Sequence, residues 1–176
     1  MKIFIVILLI FIAVAINYLM NLHNIYNYYI LKITKSNEKV TNLLTDKYNL
    51  IINLINLLKD EKKFNIEDYN EFITLPNYEN LFLDEQIKLY EQKLNEYFEE
   101  HEKVLKKEDV SSLYSEIKTL TNQLRAAKRY YNDTNTKYNK LISKFPSNII
   151  AKVKHYNTNE LYKEEALEQL KILEEE

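Results

Sequence analysis

The chain of 176 residues contains no glycine, and its two prolines are Pro76 and Pro146. Glycine supplies the positive φ angles of tight hairpins and the close backbone approach of phosphate-cradling turns. A chain without it is poorly suited to β-hairpins, a Rossmann turn or a P-loop, and well suited to long helices with few connections. The expected class is therefore all-α. The length suffices for one domain with a modest core.

Ile3 to Ile16 form an unbroken apolar run, IFIVILLIFIAVAI, preceded only by Met1 and Lys2. Fourteen helical residues rise about 21 Å, short of the roughly 30 Å hydrocarbon core. Continuation through Asn17, Tyr18, Leu19 and Met20 to Leu22 supplies the missing length. Tyr18 then sits where an interfacial aromatic belongs. This predicts a transmembrane signal-anchor over residues 1–22, with Ile3, Phe4, Leu8, Leu9, Phe11 and Ile16 in lipid, and a helical bundle over 23–176. A cleaved signal peptide is the competing reading, because Ala13-Val14-Ala15 has the small-x-small form of a cleavage site. Lys2 lies on one side of the span, and Lys32, Lys35 and Lys39 on the other. The positive-inside rule leans towards a cytoplasmic C-terminal part and leaves the side undecided.

Beyond the anchor, apolar residues alternate at spacings of three and four: Ile30, Ile33, Val40, Leu44, Ile51, Leu54 and Leu58, broken by Asn37 and Lys47. Leu43, Leu50 and Leu57 widen the stripe. This predicts one helix from the membrane to about Leu58. A polar residue in such a seam more often fixes register or reaches the surface than forms a site. Lys59–Asn65 read as a connection and 66–73 as a short helix ending before Pro76. A second long helix carries Leu83, Ile87, Tyr90, Leu94, Tyr97 and Val104, with His101 among them. A third begins near Asp109 as N-cap. Its seam is Val110, Leu113, Ile117, Leu120, Leu124, Ala127, Tyr131, Thr134, Tyr138, Leu141 and Phe145. Ser147 is read as the cap of a short segment to His155. A final helix is expected from Asn157, where Glu160 completes a capping-box pattern, with fraying at Glu174–Glu176. The long helices are expected to pack antiparallel as an elongated bundle.

Little of this pattern suggests chemistry. Cysteine is absent, which removes disulfides, thiolate nucleophiles and thiolate metal sites and leaves the redox compartment open. Twenty-four basic and 26 acidic residues give a net charge of −2 and no electrostatic footprint for nucleic acid. Di-iron bundles need Glu-x-x-His, but Phe98 stands three residues before His101, and neither His23 nor His155 supplies the pattern. Glu99-Glu100-His101-Glu102 reads as a solvated helix face. The sequence holds no HExxH, nucleophile elbow or Walker motif. No catalytic residue, metal or other cofactor is expected.

The stretch Leu124–Ala151, LRAAKRYYNDTNTKYNKLISKFPSNIIA, resembles the C-terminal signature of the LemA family. The shared elements are the basic pair Lys128-Arg129, Tyr131-Asn132, a second pair Tyr138-Asn139 seven residues later, and Phe145-Pro146-Ser147-Asn148 followed by Ile149, Ile150 and Ala151. Lys47-Tyr48-Asn49-Leu50 with Asn53-Leu54-Ile55 is similar to a second, weaker element of the family. The acidic position of the family's Thr-Glu-Asn element is lost in Leu120-Thr121-Asn122. The resemblance implies a single-pass bacterial membrane protein with an all-helical bundle and no established enzymatic activity. Tyr131 and Tyr138 fall on the seam one heptad apart, with Asn132 and Asn139 beside them and off it. One reading makes the motif core and helix-end geometry; the other makes Lys128, Arg129, Asn132 and Asn139 a partner-binding patch.

The function expected is that of an interaction or scaffold module. It is held in the lipid bilayer by its N-terminal helix and docks unknown membrane or envelope proteins. Two alternatives stand beside it. One is a secreted or envelope structural coiled coil after signal cleavage. The other is a ligand-binding sensor bundle with a pocket lined by Tyr90, Tyr97, Tyr131 or Tyr138.

Overall fold

A computed structural model describes residues 2–75 and 79–163, and every regular element among them is helical. In order these are α1 (Lys2–Leu58), a 3-10 turn (Ile66–Tyr69), α2 (Asn70–Ile73), α3 (Asn80–Glu100), α4 (Glu102–Leu105), α5 (Glu108–Ser143) and α6 (Ser147–Val153). Packing divides the chain into two compact units. One is Asn37–Arg129; the other joins Met1–Ser36 to Tyr130–Glu176. The boundary expected at 22/23 from hydropathy does not coincide with these divisions.

In the Asn37–Arg129 unit, the seam of α1 buries Val40, Leu44, Lys47, Ile51, Leu54 and Leu58, as the 3-4 spacing predicts. Asn37 is exposed, and the Asn80 side chain donates to both Asn37 Oδ1 (3.4 Å) and Thr41 Oγ1 (2.6 Å). From α3 the core takes Ile87, Tyr90, Leu94 and Phe98, and from α5 Val110, Ile117, Leu124 and Ala127. Tyr97 and Val104 are half-buried, and the helix expected to join them is interrupted at His101, which leaves the helical region at φ −129° and ψ 51°.

Lys47, the second break in the α1 seam, is buried. Its Nζ lies 2.7 Å from Glu91 Oε2 on α3, and the other oxygen of Glu91 accepts from the Thr121 hydroxyl on α5 at 3.2 Å. Further along, buried Asp84 of α3 pairs with buried Lys128 of α5, and Lys88 lies 3.7 Å from the second Asp84 oxygen. Thus α3 is keyed to α1 at 41/80 and 47/91, both numbers rising together, whereas its contacts with α5 at 84/128 and 91/121 run in opposite senses. Helices α1 and α3 are therefore parallel and α5 is antiparallel to both. The residues after Leu58 make this possible by returning along α1. The Tyr48 hydroxyl donates to the carbonyls of Phe72 (3.0 Å) and Ile73 (3.3 Å). Phe72 is wholly buried with its ring 4.9 Å from Tyr48. The expected short helix at 66–73 is this return, half 3-10 turn and half α2.

In the other unit, Leu22 and Tyr26 of α1 pack with Tyr138, Ile142 and Ala151. The α1 seam thus begins two turns before Ile30, inside the stretch whose apolar character had masked it. Tyr26 is fully buried, and its hydroxyl donates to the Ser147 carbonyl at 2.7 Å. Phe145 does not join the α5 seam. The helix ends at Ser143, because the residue before a proline avoids the α region, and Phe145 is 79% exposed. Two expected caps are displaced. Asp109 lies inside the first turn, where its charge favours the helix dipole. Ser147 is the first helical residue after Pro146 rather than a cap.

Without glycine, the chain places ordinary side chains at positive φ: Lys63 (68°) and His155 (55°). His155 closes α6 in a Schellman arrangement. Its N–H reaches the Lys152 carbonyl at 3.2 Å, and the Tyr156 N–H reaches the Ala151 carbonyl at 2.9 Å. The left-handed conformation costs a non-glycine residue about 1 kcal/mol, offset here by satisfying both carbonyls.

Lys128→Ala leaves Asp84 buried with only the more distant Lys88, and is expected to destabilise the chain by about 3 kcal/mol. The pair replacement Asp84→Leu/Lys128→Leu removes both charges and is expected to recover most of that loss. Urea unfolding of the three proteins in micelles, followed by circular dichroism, measures both values.

Candidate functional site

The Tyr-Asn signature lies on the face of α5 that holds the residues following α6. No helix begins at Asn157: residues 157–163 are not helical, and the rest of the expected final helix lies outside the described residues. Two asparagine side chains account for the difference. Asn132 accepts from the Tyr162 N–H (2.9 Å) and donates to the Tyr162 carbonyl (2.8 Å). Asn139 does the same for Asn159, at 3.2 and 3.1 Å. Each amide satisfies one residue's backbone donor and acceptor, so these groups are not available for a helix.

The spacing is dictated by the two backbones. Seven residues of α-helix rise about 10.5 Å, and three residues of extended chain cover about 10 Å. Asparagines one heptad apart therefore meet residues 162 and 159 of a non-helical segment running in the opposite sense. Between them Asn135, fully buried, accepts from the Asn159 side chain at 2.8 Å and donates to the Tyr131 carbonyl. The Tyr131 ring meets the buried Tyr162 ring edge to face at 5.1 Å. Burial raises the pKa of Tyr131 and Tyr138 above the ordinary tyrosine value.

The signature residues thus fall into two groups. Lys128, Asn132 and Tyr138 are buried, and Tyr131 and Asn139 are half-buried; Asn132 and Asn139 are committed to the chain's own backbone. Arg129 and Phe145 are exposed, and Pro146 and Asn148 half-buried. The asparagines were expected off the seam as neighbours of the tyrosines. They instead form a polar seam of their own with Asn135, at 3-4 spacing. That spacing was the available signal for Asn135. Nothing local marks Asn159 and Tyr162 as its counterparts. The anchor residues Ile3, Phe4, Leu8, Leu9, Phe11, Ile16 and Tyr18 are all exposed.

Within the Asn37–Arg129 unit a cavity of about 590 Å³ opens between the return segment and α3. Phe64, Tyr69, Tyr90 and Tyr97 form its aromatic wall. Glu67, Asp68, Glu71, Glu96 and Glu100 line it, with Lys63 and Lys93 the only cations among the lining residues. Lys93 Nζ already lies 4.5 Å from the centre of the Tyr90 ring, as an aromatic face beside carboxylates favours. Of the tyrosines named as alternatives for a pocket lining, Tyr90 and Tyr97 line this cavity, and Tyr131 and Tyr138 are not among its lining residues. The His101 ring stacks on Tyr97 at 4.6 Å, while Glu99, Glu100 and Glu102 are exposed. Both the Tyr97 hydroxyl and His101 Nε2 are buried without a hydrogen-bond partner. Among the described residues no group of three His, Asp or Glu is placed to hold a metal ion.

Burial, then the nearby carboxylates of Asp68 and Glu96, pushes the Tyr69 hydroxyl up to about 12. A pKa raised in the folded state contributes stability that is fully present below the ordinary value of 10 and lost as pH rises to 12. Tyr69→Phe is expected to make the decline in urea midpoint between pH 10 and 12 shallower than in the parent chain, with little change in slope below pH 9. For the signature, Asn132→Ala removes the two side-chain hydrogen bonds to the Tyr162 amide and carbonyl. It is expected to cost about 1–2 kcal/mol and to raise hydrogen exchange at 159–163 more than in α3.

A search of curated proteins returns no match. A family model described as the LemA family matches residues 36–172, covering α1 from Ser36 onward, the later helices and the whole signature, and leaving the apolar segment outside. That extent of agreement, on a fold whose signature residues have definite structural work, shows that the chain belongs to the LemA family.

Proposed function

We propose that the chain is a single-pass membrane-anchored helical module that docks other proteins at the bilayer surface and catalyses no reaction. The observation that carries this is α1, one uninterrupted 57-residue helix. It contains an 18-residue window of mean hydropathy 3.0, none of which is buried in the chain itself. By length and composition it is able to cross a membrane, and the same helix enters a packed core at Leu22.

A soluble protein does not present so large a contiguous apolar surface to water, so lipid is the solvent that fits it. Cleavage after Ala15 would cut the helix two turns before its first buried residue and leave Ile16, Leu19 and Met20 exposed, which favours retention. The LemA family is not a known enzyme family, and the polar groups of the signature bind backbone rather than converge on a reacting centre. Lys32, Lys35 and Lys39 beyond the span favour a cytoplasmic position for the packed helices.

Protease treatment of spheroplasts carrying a C-terminal tag tests both claims. A full-length, protected tag in the membrane fraction is the expected result. A degraded tag would place the bundle outside the membrane, and a shortened soluble product would overturn the anchor.

A further inference from the structure

Three large apolar residues beside α6 remain uncovered: Phe145 (79% exposed), Ile149 (54%) and Val153 (73%). Ile149 and Val153, four residues apart, share one side of α6, and Phe145 lies in the non-helical link just before it. Ser147 and Ala151, also four residues apart, are buried on the other side. This element is held at a definite height. Tyr26 of α1 bonds to the Ser147 carbonyl, and Leu22 and Tyr26 share a core with Ala151. A span of about 20 residues from Ile3 crosses the hydrocarbon and ends at Leu22. Packing at Leu22–Tyr26 therefore sets α6 within one helical turn, about 6 Å, of the hydrocarbon edge. The headgroup layer occupies that depth. Lys144, Lys152 and Lys154, all exposed, accompany the apolar side.

We propose that Phe145, Ile149 and Val153 form a second bilayer contact, seated at the boundary of headgroups and acyl chains in the leaflet from which α1 emerges, with Lys144, Lys152 and Lys154 drawing anionic lipid. This rests on the reading that α1 spans the membrane. The apolar side and the cations are the two parts of an interfacial helix, and α6 is too short to hold such a position alone. Its attachment to α1 supplies the depth. The Phe-Pro-Ser-Asn-Ile-Ile element thereby becomes a wedge: Pro146 ends α5, Ser147 meets Tyr26, and the flanking apolar residues face lipid.

The chain contains no tryptophan, so a single one reports its own surroundings. Phe145→Trp and, as a control, Tyr130→Trp are each reconstituted as full-length chain in vesicles containing anionic phosphatidylglycerol. Tyr130 is half-exposed on α5 and lies twelve helical residues, about 18 Å, before the Ile142 that packs beside Leu22. Lipids brominated near the headgroup end of the acyl chain are expected to quench Phe145→Trp at least about twofold and to leave Tyr130→Trp unchanged. Replacing Lys144, Lys152 and Lys154 by Gln is expected to reduce the quenching. Equal, weak quenching at both positions in vesicles that retain the chain after alkaline extraction would overturn this contact while leaving the anchor intact. Loss of the chain on extraction would instead remove the anchor on which it rests. Quenching that survives the three Gln substitutions undiminished would overturn the role given to anionic lipid.

Discussion

The pairing of buried charges on α3 fixes the arrangement of the Asn37–Arg129 unit. Apolar seams attract without specifying register, since a helix shifted by one heptad buries nearly the same surface. Lys47, Glu91 and Thr121 remove that freedom, and Asp84 with Lys128 removes it again two turns away. A displaced register would leave ionised groups buried without partners, at a cost of several kcal/mol. The sense of α3 follows from the same contacts. It can lie parallel to α1 only because the chain between them folds back, and the aromatic residues of that return, Phe64, Tyr69 and Phe72, fill the space it opens.

In the unit that joins Met1–Ser36 to Tyr130–Glu176 the organising groups are neutral amides. An asparagine side chain carries an NH2 donor group and a carbonyl acceptor, matching the C=O and N–H of a single backbone residue, and two such matches recur seven residues apart on the helix and three apart on the segment. The arrangement lets a segment lie along α5 without a partner strand. It also explains how a recurrent Tyr-Asn pair serves the fold: the tyrosine supplies buried ring surface and the asparagine, one position round the helix, supplies the backbone contact.

Both devices involve segments packed on long helices whose surroundings change along their length. From Ile3 to Asn21 the described residues of α1 are exposed, whereas from Leu22 onward its buried residues follow a regular seam. The transition falls where α6 packs, and there the exposed apolar residues of the signature gather.

Much of this was legible in the sequence. The absence of glycine and the 3-4 spacing of apolar residues determined the helices, because periodicity is a local property and so is the cost of a tight turn without glycine. The end of α1 at Leu58, the termination of α5 before Pro146 and the apolar span were all readable on that basis. What the tertiary structure alone decided were long-range matches between polar groups. Lys47 looked like a break in a seam until Glu91 was brought beside it, and Lys128, read as part of a basic pair or a partner patch, is instead buried against Asp84. Asn157–Lys163 carried a helical capping pattern, yet Asn132 and Asn139 hold its backbone in a non-helical course. Local propensity is worth a few tenths of a kcal/mol per residue, and four side-chain-to-backbone hydrogen bonds across twenty to thirty residues outweigh it. No reading of neighbours in sequence contains those bonds, because their partners meet only after the helices have packed.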